Sequence, residues 1–288
     1  MTFRRYRQLA IVTTVGVCVL VVAGGIVRLT GSGLGCDDWP ACNNERFIDV
    51  STGHAAIEQL NRLLSGVIGL PTLLLAIAGF RAGPRGLGLR WPAMGVLISV
   101  LANGVVGGFA VLTELHPALV QSHFLLAMVS IAFGMIAFHR GSGRDLIFPG
   151  WLPIGLCVTM AVSLITGTVV TGTGPHAGEE DVRRFGFDIS NVARTHSISV
   201  ILAIGVGLLL ARQLKHHPAM QSWLFVAVSQ AAIGYAQYFT GVPELLVGVH
   251  IAGATLLWVA TLRLALAPAT ADVVEPAEGF FTGASSRV

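Results

Sequence analysis

Eight apolar segments, each about as long as a membrane-spanning helix, constrain this chain more than any other feature of its sequence. A helix needs about 20 residues to cross the hydrocarbon core of a bilayer. Only 11% of the residues are charged, against about 25% in a soluble domain. The segments cover residues 8–28, 57–79, 91–113, 117–139, 151–171, 190–211, 222–240 and 244–266. Helices satisfy their own backbone hydrogen bonds in lipid, so the sequence predicts an all-α integral membrane protein with eight transmembrane helices.

Basic residues in the short loops predict how these helices are oriented. They precede the first segment and follow the second, fourth and sixth, at Arg4, Arg5, Arg7, Arg81, Arg85, Arg90, Arg140, Arg144, Arg212 and Lys215. The loops on the other side carry acidic residues instead. By the positive-inside rule, both termini face the cytoplasm and the chain crosses the cell membrane several times. The basic residues form no aromatic-interleaved stripe, so we expect no nucleic-acid partner.

The two halves of the chain resemble one another. Thr30-Gly31-Ser32-Gly33 ends the first segment and Thr171-Gly172-Thr173-Gly174 ends the fifth, each before a long polar loop. An offset of 127 residues aligns His123 with His250, Asn103 with Gln230, and Gly107 with Gly234. The shared order of these matches indicates an internal repeat.

This repeat predicts the domain organisation. Four helices per half give both halves the same orientation, so they form two four-helix bundles related by a pseudo-twofold axis along the membrane normal. The N-terminal bundle covers residues 1–140 and includes an outer loop at 29–56, and the C-terminal bundle covers residues 141–267. Residues 268–288, rich in Pro, Ala, Glu and Ser, are predicted to be a disordered cytoplasmic tail.

Three of the nine histidines lie inside apolar segments, where ionisable groups are costly and indicate function. His123, His196 and His250 each follow the outer end of a segment by six residues, which is roughly 9 Å of helix. For any single one, a hydrogen bond to a neighbouring helix is the alternative explanation. His196 and His250 belong to the same half, and two facing imidazoles at equal depth are typical axial ligands of a six-coordinate haem.

In the first half, Asn61 occupies the position that corresponds to His196. Glu58 and Asn61 are spaced i, i+3 and share a helix face, and Arg62 follows Glu58 at i+4. Glu58 either pairs with Arg62 at the outer interface or faces a cavity beside His123. In the second case Arg62 would lie near the carboxylates of a ligand, which arginine binds well. Two further arginines near the outer surface are candidates for binding propionates or are simply interfacial, namely Arg28 and Arg194.

Two cysteines lie in the first outer loop. Cys36 and Cys42 close a small ring, and the outer compartment permits disulfides, so we favour a disulfide. A zinc site is the alternative, although two further ligands are not evident nearby. Cys18 and Cys157 lie within apolar segments and are predicted to be small apolar side chains of the interior.

Residues 24–36, Gly-Gly-Ile-Val-Arg-Leu-Thr-Gly-Ser-Gly-Leu-Gly-Cys, resemble a motif of the haem A synthase (CtaA) family, together with Asp38-Trp39-Pro40 and Cys42. The resemblance covers about residues 10–266. It implies an eight-helix protein of two similar halves, in which a methyl group of haem O is oxidised to a formyl group by successive hydroxylations. The product, haem A, would serve cytochrome oxidase, and the partners would be haem O synthase and an electron acceptor.

The resemblance also implies roles for individual residues. The C-terminal half would hold haem b through His196 and His250, with Arg194 nearby. The N-terminal half would bind haem O, with Glu58 as the catalytic residue. The substrate-binding set would be His123, Asn61, Arg62 and Arg28, and Cys36–Cys42 would match the family's outer-loop disulfide.

Two departures from the family pattern stand out. Many relatives have histidine where this chain has Asn61, so His123 would be the one protein ligand of the substrate iron. Many also have a second cysteine pair in the third outer loop, whereas residues 172–189 contain none. That loop is therefore expected to hold together without a disulfide.

Two other classes of protein remain possible at this point. A non-catalytic membrane b-type cytochrome explains His196 and His250 equally well, but leaves Glu58 and Asn61 without a role. A transporter built on parallel repeats would predict helices broken at the midplane, whereas the polar groups here lie near the outer surface.

Overall fold

The computed structural model describes residues 2–82, 87–143, 150–214 and 217–266, which form eight helices and no strand. The helices are α1 (Phe3–Leu29), α2 (Gly53–Phe80), α3 (Leu87–Leu112), α4 (Pro117–Arg140), α5 (Trp151–Thr173), α6 (Ile189–Gln213), α7 (Pro218–Phe239) and α8 (Glu244–Ala265). Seven are long and apolar enough to cross a membrane, and α7, which contains three glutamines, is not among them. The protein is a multi-pass helical membrane protein, as predicted. The predicted tail, Arg85, Arg144 and Lys215 lie outside the described residues.

Polar caps extend several helices beyond their apolar segments. Thr2 accepts a hydrogen bond from the backbone N–H of Arg5, and Thr52 accepts one from that of Ala55 at 3.1 Å. Capping satisfies amide groups that a helix leaves free in its first turn. For this reason α1 and α2 begin about four to five residues earlier than hydropathy predicts.

The helices alternate in direction, so the bundle has two ends. We call the end with the long loops 30–52 and 174–188 the loop end, and the opposite one the terminal end. At the loop end, residues of the α3–α4 turn and those 127 positions later in the α7–α8 turn make equivalent backbone hydrogen bonds. Leu115 N–H donates to Ala110 O and Val242 N–H donates to Gln237 O, both at 2.7 Å. Leu115 and Val242 also share a left-handed backbone, with φ of 57° and 61°.

The buried apolar core lies toward the terminal end. In the first half it joins Tyr6 and Ala10 of α1 with residues near the terminal ends of α2, α3 and α4. A second cluster joins α1 and α4 to the four helices of the second half, around Trp223 and Ile131. Trp258 of α8 reaches across with an N–H···O bond of 2.9 Å to Met128 of α4. The core thus leaves the loop-end part of each half to other residues.

Packing between neighbouring helices differs in the two halves. In the first half α2 packs closely against both α1 and α3. In the second half α6 packs closely against α5 but makes few contacts with α7. The sparse packing between α6 and α7 therefore has no counterpart between α2 and α3.

Candidate functional site

Each of the three intramembrane histidines rests against a glycine of the neighbouring helix, in the loop-end part of its half. His123 of α4 lies on Gly107 of α3, His196 of α6 on Gly167 of α5, and His250 of α8 on Gly234 of α7. A Cβ atom placed on any of these glycines would come within 2.8–3.0 Å of the Cε1 atom of the imidazole. Contacts this short are unfavourable between carbon atoms, so a larger residue at any of these positions would require the ring to shift.

The Nδ1 atoms of the three rings have different surroundings. That of His123 lies 3.0 Å from the backbone oxygen of Asn103, and that of His196 lies 3.1 Å from the hydroxyl oxygen of Thr166. The Nδ1 of His250 is buried and has no hydrogen-bond partner among the described residues. A carbonyl oxygen can only accept, so His123 carries its proton on Nδ1 and keeps the lone pair of Nε2 free for a metal.

The second half brings two imidazoles into one site. His196 and His250 are close enough to interact electrostatically, and both are half-buried. On α7, Gln230 donates from its side-chain nitrogen to the backbone oxygen of His250 at 2.7 Å, which ties the two helices together at the level of the ring. This bond therefore fixes the backbone that carries the His250 ring.

The first half has one imidazole and unpaired amides. His123 is exposed, which leaves its ring accessible to a ligand. The side-chain oxygens of Asn61 and Asn103 are buried and have no hydrogen-bond partner in the described part of the chain. Buried amide oxygens without partners are costly, so these two groups are available to a bound molecule.

Glu58 and Arg62 form an ion pair that anchors the first outer loop. Glu58 is 5% exposed, and its carboxylate accepts from Arg62 at 2.6 Å and from the backbone N–H of Cys36 at 2.8 Å. Arg62 also donates to the backbone oxygens of Asp38 at 2.9 Å and Ala41 at 3.0 Å. The ion pair, one of the two alternatives for Glu58, is present, and its further partners belong to the loop that follows α1.

This loop reaches from α2 to α3. Cys36 and Cys42 form the predicted disulfide, which removes them as zinc ligands. Trp39, three residues beyond Cys36, packs on Gly108 of α3, beside the glycine that supports His123. The disulfide loop therefore covers the loop end of the first half, close to its histidine.

A carboxylate stabilises the far side of the same loop. Asp49 is bonded by Ser51, by the side-chain nitrogen of Asn43 at 2.9 Å and by Arg46 at 3.3 Å. Hydrogen bonds from the side chain and backbone of Ser51, with Asn43 and Arg46, lower the pKa of Asp49 to about 2. The carboxylate is therefore ionised at any physiological pH.

The other two predicted arginines lie apart from each other. Arg28 of α1 donates to the backbone oxygens of His176 and of Thr171, the latter at 2.7 Å, and so holds the third outer loop. His176 in turn contacts the oxygen of Val242 in the α7–α8 turn through Nε2 at 2.8 Å. Arg194 is exposed and makes no hydrogen bond or ion pair with other described residues, so it is free to bind a ligand.

The sequence alone does not identify several residues of this site. The repeat aligns Gly107 with Gly234, but it does not distinguish a role in helix packing from space for a ligand. The roles of Thr166 and Trp39 depend on His196 and Gly108, which lie on other elements. Among the described residues no group of three or more His, Cys, Asp or Glu side chains could chelate a bare metal ion.

These observations define a class of protein, a multi-pass helical membrane protein with three histidines seated against glycines of neighbouring helices. Comparison with known proteins narrows the class. Residues 7–55 match the family model COX15-CtaA, described as "Cytochrome oxidase assembly protein". The matched residues 7–55 include the motif at residues 24–36 that resembles the same family.

Curated relatives carry the same indication. The chain is 30% identical over 130 residues to "Heme A synthase" of Geobacillus kaustophilus, covering 45% of this chain and 41% of the relative. It is 27% identical over 185 residues to "Heme A synthase" of Lysinibacillus sphaericus, covering 60% of each. It is 32% identical over 120 residues to "Heme A synthase" of an Exiguobacterium species, covering 41% of this chain and 40% of the relative. The matches span roughly two to three fifths of these relatives.

Proposed function

We propose that the protein is a haem A synthase, an oxidoreductase that converts a methyl group of haem O to a formyl group by successive hydroxylations. The haem A product serves cytochrome oxidase. The observation that carries this proposal is that two similar regions of the chain differ in their histidines. One holds two imidazoles, and the other holds one imidazole beneath a loop that is anchored on Glu58. The relatives named Heme A synthase support it.

In the second half, His196 and His250 would hold haem b. The residues fit such a group, because glycines seat both rings and the exposed Arg194 at the loop end is free to pair with a propionate. When bound, haem b supplies one-electron transfer. The chain contributes two fixed imidazoles and the tie from Gln230 to the His250 backbone.

In the first half, His123 binds the iron of the substrate haem O through Nε2. Asn61 does not provide a second strong ligand, since an amide oxygen is a poor partner for iron beside imidazole. Its unpaired oxygen, with that of Asn103, instead lines the site. Arg62 contributes to substrate binding through the first outer loop, because its guanidinium group donates to the carbonyls of Asp38 and Ala41. Arg28, the other arginine proposed for the substrate, holds the third outer loop.

Glu58 is the catalytic carboxylate in this proposal. A fixed carboxylate accepts a proton or stabilises developing positive charge during oxidation of the methyl group. Bonds to Arg62 and to the Cys36 N–H hold it between α2 and the disulfide loop. Its position relative to the substrate therefore depends on that loop.

The architecture and location follow from the same proposal. The two halves are four-helix bundles related by a pseudo-twofold axis, for which the matched α3–α4 and α7–α8 turns are support. The protein lies in the cell membrane with both termini in the cytoplasm and the loop end outside. It receives haem O from a haem O synthase and passes electrons to an acceptor.

The test is pigment analysis of membranes from cells that make haem O, with and without this protein. We expect haem A only when the protein is present, and none with a His123→Leu variant. Membranes that contain a low-spin b-type spectrum but only haem O, unchanged in amount, would instead indicate the electron-transfer cytochrome.

A further inference from the structure

A small hydroxyl network on α5 and α6 surrounds the imidazole of His196. Thr166 Oγ1 lies 3.1 Å from Nδ1 of His196 and 2.9 Å from Oγ of Ser199. Ser199 also donates to the backbone oxygen of His196 at 2.7 Å and is 6% exposed. Gly167, next to Thr166, packs against the Cε1 atom of the same ring. The Thr166-Gly167 pair therefore meets both the Nδ1 atom and the Cε1 atom of His196.

The direction of the hydrogen bond follows from proton counting. The Thr166 hydroxyl has one proton and three acceptors for it, the backbone oxygens of Val162 at 3.0 Å and Ser163 at 3.1 Å and the hydroxyl of Ser199. Its lone pairs remain available for an N–H donor, and Nδ1 of His196 is the nitrogen within reach. The ring of His196 also has a hydrogen bond with the backbone of Ser163, whose carbonyl oxygen can only accept. The proton of the neutral imidazole is therefore placed on Nδ1, and the lone pair on Nε2.

We propose that Thr166, supported by Ser199, is a positioning residue that fixes the tautomer and orientation of His196 and so presents Nε2 to the iron of a haem in the second half. This rests on the proposed function. A metal-bound histidine commonly donates its other ring N–H to an acceptor, which orients the ring and raises its basicity. Thr166 provides a side-chain acceptor for His196, beside the backbone oxygen of Ser163.

The partner ligand lacks such support. Nδ1 of His250 has no partner among the described residues, although Gly234 seats its ring as Gly167 seats that of His196. Of the two axial ligands, His196 is therefore the stronger donor and the better oriented one. Loss of the Thr166 hydroxyl should affect the haem through His196 alone.

The experiment uses the full-length protein purified with its haem. Thr166→Val keeps the shape of the side chain and removes the hydroxyl. We expect the low-spin spectrum to persist and the midpoint potential to rise, because a less basic imidazole stabilises ferric iron less. Transfer of haem to excess apomyoglobin should show about 10- to 100-fold weaker retention. Thr166→Ser should restore both values.

Thr159→Val is the matched control. Thr159 is also a half-buried threonine of α5, and its hydroxyl bonds only to the backbone of its own helix, at Gly155 and Leu156. It should leave the potential and the retention of haem unchanged. A potential shift of equal size in Thr159→Val and Thr166→Val would overturn the proposal, because the effect would then belong to helix α5 in general.

Other outcomes are equally decisive. Wild-type potential and retention in Thr166→Val would overturn the positioning role. If that variant does not accumulate, Ser199→Ala takes its place, with a shift in the same direction supporting the role and wild-type values overturning it. Failure of the proposed function looks different, since the wild-type protein would then carry no haem or His196→Ala would leave its haem unaffected.

Discussion

The two halves share one construction and differ in how firmly they can hold a ligand. In the second half His196 and His250 are close enough to interact electrostatically, and a hydroxyl network supports the first of them. In the first half His123 is a single accessible imidazole, and Asn61 occupies the position that corresponds to His196. The difference suits a retained cofactor in one half and an exchangeable substrate in the other.

The loops over the two halves are also held differently. The first is fixed by the Cys36–Cys42 disulfide and by the bonds of Glu58 and Arg62. The third outer loop is fixed by backbone and arginine contacts, including Phe185 N–H to Gly172 O at 3.1 Å and Arg28 to Thr171 O. Covalent restraint thus covers the half where substrate would have to enter and leave.

Replacing the histidines should produce the largest difference between the two halves. His196→Ala or His250→Ala should abolish or convert the six-coordinate low-spin spectrum of the purified protein, because one axial ligand is lost. His123→Ala should leave that spectrum intact, and His217→Asn, which keeps the N-cap of α7, serves as the control. A double His196/His250 variant with the full low-spin signal would contradict the assignment.

Glu58→Gln should separate substrate turnover from cofactor retention. The change keeps the shape and removes the charge, so haem A formation should fall about 100-fold or more, as expected for loss of a general base. The low-spin haem of the second half should remain. Glu45→Gln, which changes an exposed carboxylate of the first outer loop, is the control. Unchanged turnover in Glu58→Gln would leave only its structural role in anchoring the loop.

Asn61→His should make the first half resemble the second. Haem O added to wild-type protein already filled with haem b should give a high-spin or water-ligated difference spectrum, which His123→Ala removes. With histidine at position 61 the added haem should become low-spin and should leave about tenfold more slowly, as about 1.4 kcal/mol of extra binding would produce. A bis-imidazole signal already present in the wild-type protein would point to His116 or His54 as a second ligand.

Loss of the disulfide should have a smaller effect. Closing so short a loop stabilises it by about 2–3 kcal/mol at most in the chain-entropy account. Cys36→Ser with Cys42→Ser should therefore lower turnover a few-fold while the second-half haem persists. In a Cys18→Ser, Cys157→Ser background, alkylation without reduction should label neither remaining cysteine. Free labelling of both would show that the native loop is not disulfide-bonded.

The smallest expected effect is on the stability of the first outer loop at low pH. Because the folded-state pKa of Asp49 is lowered to about 2, its ionised form stabilises the first loop at all pH values above the unfolded value near 4. That contribution should fade only as pH drops from about 4 toward 2. Asp49→Asn should remove this part of the pH dependence when protease cleavage of the loop is followed. An unchanged acid profile in the variant would assign the effect to other carboxylates.

Local patterns predicted most of the fold. Apolar length and polar caps are properties of contiguous residues, and α4 and α8 begin at Pro117 and Glu244, as the segments predicted. The depth of His123 and His250 follows directly from those starts. The identity of ring-supporting residues could not be predicted, because Thr166 meets His196 across 30 positions and depends on how α5 packs on α6.

The contact of Arg28 with the third outer loop makes the second half depend on the first. At the 141-residue offset that aligns Thr30 with Thr171, the second half has Val169 in place of arginine. The brace therefore runs in one direction only, from the first half to the loop of the second. The two halves are therefore unequal at the loop end. The C-terminal half produced alone would lack this support for its loop, because Arg28 belongs to the first half.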